Sequence, residues 1–342
     1  MMHKRFYIGD YDPEFCRNSH INSGNILVPF LKTVESKPES LALWIDDIPL
    51  SYGELWAASV PVARCLTEIL HHHRIESVGI IADRSITSFV SIIASLAAGI
   101  PYVPIHHKYP VKRQISILKQ AECSVLILGP TSTSVIEKLL PKITNSVSIL
   151  SISGDDIDKN IAVACQHRLI PVNAATGRQP KINDNRAACL LFTSGSTGEP
   201  KGISIRHSNI ISYIKSIQKL YNPNESDRFS QIFDQTFDLS LHDMFVAWST
   251  GASLFCIPDE ERHAPGRFIK RHSLTFWFST PSTIALMQSA KLLKINSFPT
   301  LRFSLFCGEP LHSELAENWM TAAPGSKLQN LYGPTEATIA IT

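Results

Sequence analysis

Short apolar runs that alternate with helix-like segments constrain the fold of this chain more than any other feature. Runs such as SVGIIA (77–82) and SLFCI (253–257) are apolar at consecutive positions, as in strands buried on both faces. Segment 85–98 has apolar residues at helical spacing and precedes Gly99, a suitable helix end. The pattern predicts an α/β fold of doubly wound sheets with covering helices. Further strands are predicted at LALWI (41–45), SVLIL (124–128), VSILSI (147–152), ACLLF (188–192), LTFWF (274–278) and LRFSLF (301–306).

The polar, irregular segment 153–186 interrupts this alternation. We interpret it as the boundary between two similar α/β subdomains, residues 1–185 and 186–342. Ser51 and Glu54 form an S-x-x-E pattern that predicts a helix start. Further helices are predicted near 131–140 and over 239–249.

Composition excludes several classes of protein. The 342 residues are 44% hydrophobic and 18% charged with a net charge of +2, which indicates a soluble globular protein without a nucleic-acid or membrane partner. No apolar run approaches the roughly 20 residues that span a bilayer, and the N-terminus lacks an apolar signal core. Without a CxxC pair, the cysteines predict reduced thiols and a cytoplasmic location. The seven cysteines are at positions 16, 65, 123, 165, 189, 256 and 307.

The stretch LLFTSGSTGEPKGISIRHSNI (190–210) joins two apolar runs through a loop rich in hydroxyl groups and glycine. Glycines allow close backbone approach, hydroxyls can donate hydrogen bonds, and Lys201 supplies a positive charge. Such a loop after a strand can hold phosphate oxygens, although it does not fit the Walker pattern. On composition alone, a flexible surface turn remains an equal alternative. The candidate phosphate-binding residues are Thr193, Ser194, Gly195, Ser196, Thr197, Gly198 and Lys201.

Five motifs in order give the chain a resemblance to a known family. TSGSTGEPKG (193–202) resembles the phosphate loop of the adenylate-forming superfamily, which includes acyl-CoA synthetases, luciferases and amino-acid adenylation domains of peptide synthetases. Its companions resemble core motifs of the peptide-synthetase branch from about residue 26 onward. They are LSYGEL (50–55), LAAGIPYVPI (96–105), FDLSLHDMF (237–245) and NLYGPTEATI (330–339). One departure is His106, where the second motif normally has aspartate; we interpret it as peripheral to the chemistry.

The resemblance implies attack of a carboxylate on the α-phosphate of ATP, which gives an acyl-adenylate and pyrophosphate. It implies that loop 193–202 grips the β- and γ-phosphates, that Tyr332 flanks adenine, that Thr335 meets the α-phosphate and that Glu336 helps to hold Mg²⁺. Thr193, Lys201, Thr335 and Glu336 are thus the implied catalytic residues. The implied nucleotide-binding residues outside the loop are Gly308, Glu309, Pro310, Asn330, Leu331, Tyr332 and Thr335.

Asp238 carries the inference about substrate class. Its position before a helical pattern also suits a helix N-cap. In the amino-acid branch of the family, however, the matching aspartate pairs with the substrate α-ammonium, so the resemblance implies an α-amino or imino acid. The other pocket positions lack charge and imply a small apolar side chain, with proline-like substrates favoured. They are Leu239, His242, Phe278, Leu305, Cys307, Leu331, Gly333, Ile339 and Ala340.

Family members continue beyond the fifth motif with a ribose-binding aspartate, a hinge and a small C-terminal domain that carries a lysine. The chain stops at Thr342, so we expect an N-terminal core that alone has weak or no adenylation activity. The implied partner is a carrier protein with a phosphopantetheine thiol. Two alternatives stay open, an aryl- or fatty-acid ligase and a substrate-binding module without turnover. The run His71–His73 lacks metal-ligand spacing and is interpreted as an exposed helix end.

Overall fold

The computed structural model describes residues 24–129, 137–143, 147–152, 168–172, 187–194 and 199–341. The strands are β1 Leu41–Ile45, β2 Ile48–Ser51, β3 Ser77–Ala82, β4 Tyr102–His106, β5 Cys123–Leu128, β6 Ser148–Ser151, β7 Arg168–Pro171, β8 Ala187–Ser194, β9 Pro200–Arg206, β10 Arg228–Gln231, β11 Ser253–Cys256, β12 Phe276–Ser279, β13 Phe303–Phe306 and β14 Lys327–Asn330. The helices are α1 Val28–Ser36, α2 Tyr52–His72, α3 Ile86–Ala97, α4 Val111–Gln120, α5 His207–Tyr221, α6 Leu239–Ser249, α7 Gly266–Arg271, α8 Pro281–Ser289 and α9 Ser313–Ala322.

The chain divides into two compact units. Unit 1 comprises 1–39, 52–211 and 234–236, and unit 2 comprises 40–51, 212–233 and 237–342. Over the described residues, each contains a seven-stranded sheet, ordered β7-β6-β5-β3-β4-β8-β9 in unit 1 and β14-β13-β12-β10-β11-β1-β2 in unit 2. The predicted α/β class with two similar sheets is therefore confirmed.

Strand pairing in unit 1 explains its buried sequence. Strands β3 to β8 pair in parallel, and β9 pairs antiparallel with β8. Every residue of β3 and of α3 is buried. The serines of α3 return their hydroxyls to the preceding turn, as Ser91 donates to the Thr87 carbonyl at 2.7 Å and Ser95 to the Ser91 carbonyl at 2.8 Å. This local bonding lets a polar-containing helix lie wholly in the core.

Unit 2 aligns the carboxyl ends of its parallel strands. Ser279, Phe306 and Asn330 stand at one level across β12, β13 and β14. Strand β1 joins this sheet through β11, and β2 follows after a two-residue turn at Asp46 and Asp47 with φ angles of 49° and 59°. Aspartate tolerates this left-handed conformation, which two-residue hairpins require. Loops at the carboxyl edge are where α/β sheets bind ligands.

The unit boundaries differ from the predicted division at residue 186. Strands β8 and β9 lie in the first sheet, where Tyr102 pairs with Cys189, and β1 lies in the second, where Leu43 pairs with Leu254. These pairings join distant segments, so no local change in composition marks them. Residues 153–167 and 173–186 of the proposed boundary segment lie outside the described residues, as do 130–136 of the helix predicted near 131–140.

The predicted strands and the helices 85–98 and 239–249 are confirmed with small shifts at their ends. Within the described parts of the chain, no helix is both long and apolar enough to cross a membrane. The five cysteines described there are buried and form no disulfide: Cys65, Cys123, Cys189, Cys256 and Cys307.

Candidate functional site

The candidate phosphate loop connects the two antiparallel strands at the edge of unit 1. Ser194 pairs with Pro200 and Thr193 with Lys201, so the loop closes a β-hairpin. Ser194 and Lys201 are exposed, Thr193 is half-buried, and residues 195–198 lie outside the described residues. A Cβ atom on Gly202 would stand 3.1 Å from ring atoms of Phe192, its cross-strand partner. Glycine therefore lets the aromatic ring cover the hairpin at the base of the loop.

Two consecutive hydrogen bonds between side chains connect this hairpin to α4. Ser116 Oγ donates to Glu199 Oε2 at 3.1 Å, and Gln120 Nε2 donates to Ser116 Oγ at 3.0 Å. All three groups are at the surface, so each bond contributes little to stability. Their effect is to restrict the position of the last loop residue before β9.

His106, the departure from the family motif, binds the carboxylate of Asp234 in unit 1. Its Nδ1 accepts from the Lys108 backbone N–H at 3.0 Å, and its Nε2 lies 3.5 Å from Asp234 Oδ2. Because Nδ1 is an acceptor, the ring proton of the neutral form is on Nε2 and faces Asp234. Arg84 Nε lies 4.0 Å from the other Asp234 oxygen. The histidine thus helps to hold an acidic residue that the sequence patterns had not singled out.

In unit 2, candidate residues collect where the parallel strands end. Phe278 is the penultimate residue of β12, Leu305 is in β13, and Cys307 and Gly308 directly follow β13. Leu331 follows β14 and donates its backbone N–H to the Phe306 carbonyl at 2.6 Å. Strands far apart in sequence therefore bring the predicted pocket positions to one edge of one sheet.

Asp238 precedes α6 and is buried, with 7% of its surface exposed. Its carboxylate makes no capping hydrogen bond to the helix, and Oδ2 has no hydrogen-bond partner among the described residues. Burial raises the pKa of this carboxyl, although the Thr335 side chain and the Ile339 and Leu239 backbones oppose the shift. A buried acceptor without a partner is costly, so this oxygen indicates a missing donor.

Four of the predicted pocket positions have apolar side chains that are buried in unit 2. Leu239, Phe278, Leu305 and Ile339 are all at most 8% exposed. Cys307 is also buried, and burial raises the pKa of its thiol, with the nearby Asp238 carboxylate acting in the same direction. The thiol therefore stays protonated near neutral pH. Of the other pocket positions, Leu331 is buried, whereas Gly333 and Ala340 are half-buried.

His242 is 1% exposed and stands one helical turn after Asp238 on α6. Its Nδ1 lies 2.8 Å from the hydroxyl of Tyr213, while Nε2 has no partner among the described residues. Burial lowers the pKa of His242 to about 3, so the ring is neutral at physiological pH. The ring also packs edge-on against Phe278 at 4.8 Å. No motif had indicated Tyr213, because it lies within the ordinary apolar pattern of α5.

A second buried acid, Asp243, follows His242 on the same helix. It is 1% exposed, Oδ2 has no partner among the described residues, and burial raises its pKa well above the usual range. The motif 237–245 contains Asp243, but the sequence assigned it no role, because aspartate is mostly exposed in folded proteins. Asp238, which precedes α6, and Asp243, which lies within it, are thus both buried carboxyls.

The YGPTE segment forms a tight turn that ends near Asp238. A Cβ atom on Gly333 would stand 2.5 Å from Ala340 Cα, and Ile341 donates its backbone N–H to the Tyr332 carbonyl at 2.8 Å. Only glycine fits this close approach. Tyr332 is 69% exposed and Glu336 is also exposed, while Thr335 begins the 3₁₀ turn Thr335–Ala337. Both the Tyr332 ring and the Glu336 side chain therefore lie at the surface, and their adenine and Mg²⁺ roles stay predictions.

Gly308 has a φ angle of +91°, a conformation that favours glycine. The next residue, Glu309, accepts from the Ser282 backbone N–H at 2.9 Å and from its hydroxyl at 3.1 Å. The Glu309 carboxylate therefore caps the first turn of α8. Pro310 and Asn330 are exposed at the same strand ends. The structure gives Glu309 a helix-capping role that its predicted nucleotide contact had not included.

The histidine run at the end of α2 shows no metal site. His72 Nε2 lies 3.1 Å from Glu68 Oε1, its neighbour one turn earlier. Across the residues that the structure describes, no group of three or more histidine, cysteine or acidic side chains could hold a metal ion. A single carboxylate such as Glu336 still suits Mg²⁺, which keeps several waters and uses phosphate oxygens.

Comparison with known proteins accounts for this arrangement. The family model for AMP-binding enzyme matches residues 30–342. A D-alanine–D-alanyl carrier protein ligase of Bacillus velezensis is 27% identical over 324 residues, covering 92% of this chain and 60% of the relative. An L-proline–[L-prolyl-carrier protein] ligase of Streptomyces coelicolor is 32% identical over 315 residues, covering 86% of this chain and 57% of the relative. The chain thus spans about 60% of the length of these relatives.

A solved structure agrees with the match to the AMP-binding enzyme family. The Vibrio cholerae adenylation domain AlmE, determined in complex with glycyl-adenosine-5′-phosphate, superposes with a TM-score of 0.84 and 31% identity. The match covers 95% of this chain and 62% of that one.

Proposed function

The chain belongs to the AMP-binding enzyme family, and from this premise we propose that it activates the carboxylate of an α-amino acid with ATP. The product would be an aminoacyl-adenylate, with later transfer of the aminoacyl group to the phosphopantetheine thiol of a carrier protein. One observation carries the amino-acid assignment, namely the buried Asp238 Oδ2, which has no hydrogen-bond partner among the residues that the structure describes.

Asp238 meets the requirements for an ammonium selector. Its carboxylate is buried beside apolar walls, where pairing with a cation is strong and an unpaired charge is costly. An α-ammonium would supply the donor that Oδ2 lacks. A plain carboxylic acid could not, and would leave the buried acceptor unsatisfied. The relatives whose names specify D-alanine and L-proline are carrier-protein ligases of amino acids, which supports the same class.

Two groups of residues have proposed roles in nucleotide binding. One is at the hairpin of unit 1, and the other is in the YGPTE turn of unit 2. Loop 193–198 and Lys201 would hold the β- and γ-phosphates through hydroxyls, backbone amides and a positive charge. In unit 2, Thr335 would bind the α-phosphate and the Tyr332 ring would flank adenine. Glu336 would hold Mg²⁺, which when bound neutralises phosphate charge during the transfer.

The pocket walls set limits on the substrate side chain. Leu239, Phe278, Leu305 and Ile339 are buried and uncharged, so a charged side chain would lose its hydration without gaining a partner. Bulky aromatic rings would have to displace close-packed neighbours. We therefore propose a small, uncharged side chain, a class that includes the proline-like substrate favoured by the sequence.

Binding of matched adenylate mimics tests the amino-acid assignment. L-alanyl-sulfamoyl-adenosine and propionyl-sulfamoyl-adenosine differ only in the α-amine and can be titrated calorimetrically into the chain. We expect roughly 100-fold tighter binding of the alanyl compound, as expected for a buried charge pair. Asp238→Ala should remove that preference. Asp243→Asn, which alters a buried acid of the same helix outside the pocket positions, should keep it.

Other outcomes point to the other functions. Equal or tighter binding of the propionyl compound, indifferent to Asp238→Ala, would contradict the proposal and favour an aryl- or fatty-acid ligase. Amino-acid-dependent pyrophosphate exchange distinguishes an enzyme from a binding module, because a module would bind without exchange. Exchange should be measured on the chain and on a protein that extends to the full length of its relatives.

A further inference from the structure

We propose that Tyr213 is a positioning residue that orients His242 so that the pocket presents one hydrogen-bond donor, and that the accepted amino acid carries a small hydroxyl-bearing side chain. This inference rests on the proposed function and narrows its substrate class.

The contact between the two side chains is short and enclosed. Tyr213 extends from α5, and its hydroxyl lies 2.8 Å from Nδ1 of His242 on α6. The two rings meet at 70° with centroids 5.8 Å apart, and both residues are at most 8% exposed. Phe278 packs edge-on against the other side of the imidazole at 4.8 Å. Between these two rings the imidazole has little freedom to rotate.

The hydroxyl also determines which nitrogen carries the ring proton. Burial raises the pKa of Tyr213 well above its usual range, and the nearby Asp243, Cys307 and Asp238 act in the same direction. The tyrosine therefore keeps its proton, and the acceptor within hydrogen-bond distance of it is His242 Nδ1. Because the imidazole is neutral, its single proton is then on Nε2. The bond thus converts Nε2 into a donor.

That donor has no partner in the part of the chain that the structure describes. Asp238 Oδ2, one turn earlier on the helix, likewise has none. Residues four apart lie on one helix face, so both unpartnered atoms belong to the same side of α6. A single ligand can satisfy both if it carries an ammonium for the carboxylate and an oxygen acceptor for Nε2–H. Serine, threonine and 4-hydroxyproline offer these groups on a small side chain.

An apolar side chain would leave the Nε2–H buried without an acceptor. A buried polar group in that state is destabilising, so the site should bind the apolar isostere about tenfold more weakly. Selection is then strongest between compounds that differ only in the hydroxyl, because the site holds the remainder of both compounds equally.

Two matched pairs of adenylate mimics test the inference, the seryl and alanyl sulfamoyl-adenosines and the 4-hydroxyprolyl and prolyl sulfamoyl-adenosines. In the unaltered protein, the hydroxyl compound of at least one pair should bind about tenfold more tightly. Tyr213→Phe keeps the ring and removes the hydroxyl, so it should reduce that ratio to about one. The affinity for the apolar member should stay within about twofold, whereas a merely structural role would weaken both members alike.

A second measurement uses the unaltered protein and needs no variant, and a further variant complements it. Nitrogen-15 NMR of the ring should show His242 protonated on Nε2 at neutral pH, and His242→Leu should abolish the hydroxyl preference. Absence of a preference in both pairs, a ratio unchanged by Tyr213→Phe, or protonation on Nδ1 would overturn the inference. Loss of the alanyl-over-propionyl preference would instead overturn the proposed function, so the two failures are distinguishable.

Discussion

The two units place their candidate residues in opposite environments. In unit 1, Ser194 and Lys201 are exposed at the loop end of a hairpin, and surface hydrogen bonds join the hairpin to α4. In unit 2, Asp238 and His242 are buried at the start of α6, and each has one atom with no hydrogen-bond partner among the described residues. Both sheets have seven strands, so the difference does not come from sheet size.

The contrast follows from what each group is proposed to bind. Phosphates carry several charges and remain hydrated, so exposed cations and hydroxyls can hold them without losing their own hydration. A single ammonium is recognised against a neutral competitor only where water cannot replace it, which requires burial. Burial in turn shifts pKa values, and in unit 2 it shifts those of Asp238, His242 and Asp243. Each of the following predictions tests one side of this contrast.

The largest expected effect belongs to unit 1. Lys201→Ala should weaken binding of MgATP by roughly 100-fold, because a charge-assisted contact contributes about 1.5–3 kcal/mol. Binding of alanyl-sulfamoyl-adenosine, which lacks β- and γ-phosphates, should not change. Lys119→Ala, at an exposed position of α4, is the matched control. Equal weakening of both ligands would show that Lys201 does not act on the terminal phosphates.

A smaller effect concerns the stability of unit 2 in acid. The pKa of His242 is about 3 when folded against 6.5 in its reference state. Below about pH 6.5 the unfolded chain therefore binds a proton that the folded chain does not, and stability is lost as the pH falls toward about 3. The loss is about 1.4 kcal/mol per pH unit, or about 2 kcal/mol at about pH 5.

Denaturant unfolding of the unaltered protein and of His242→Asn measures that loss. Between about pH 7.5 and about pH 5, the difference in unfolding free energy should move by about 2 kcal/mol in favour of the variant. The buried acids are common to both proteins and cancel in the difference. A constant difference across this range would mean that the folded imidazole takes up a proton.

Asp238 should give amino-acid binding a pH dependence. Its raised pKa means that the carboxyl is neutral below that pKa and cannot pair with an ammonium. Below the pKa of Asp238, affinity for the alanyl mimic should fall about tenfold for each unit by which the pH is lowered. Affinity for the propionyl mimic should stay constant over the same range. Asp238→Asn should flatten the profile.

The same variant should also raise the melting temperature at neutral pH. The folded-state pKa of Asp238 is raised, so the stability linked to its protonation is lost as the pH rises through that pKa.

The smallest expected effect tests the backbone at the strand ends of unit 2. Gly308→Ala should lower the unfolding free energy by about 1 kcal/mol, since alanine disfavours a φ angle of +91°. The nearest atom to the new Cβ would be 3.7 Å away, so crowding adds nothing. Gly325→Ala, where neighbours are 3.9 Å away, is the control and should not destabilise the protein.

Local patterns predicted much of this molecule. The apolar runs gave the strands, Gly99 gave a helix end, and the motifs gave Asp238, His242 and the loop at 193–202 as candidates. Such features depend on residues near in sequence, whose spacing and type already imply their conformation. The resemblance supplied roles for residues whose chemistry alone left a surface turn or a helix cap as alternatives.

Other properties depend on contacts between distant segments. Whether β8 joins the first or the second sheet depends on its pairing with β4. In that pair Cys189 lies opposite Tyr102, which is 87 residues earlier in the chain (189 − 102). Tyr213 becomes a candidate positioning residue only because α5 places its hydroxyl within hydrogen-bond distance of His242. Likewise, Asp234 binds His106 and Arg84 through folding, and no pattern around it marks that contact.

By itself, the sequence determined the class of fold, the order of the motifs and the residue types that the proposed chemistry needs, because these are written in local spacing. Only the tertiary structure decided which of those residues are buried, which nitrogen of His242 is left without a partner, and which carboxylates have raised pKa values. Burial and pairing arise when remote strands and helices come together, and the electrostatic properties of the pocket residues follow from that packing.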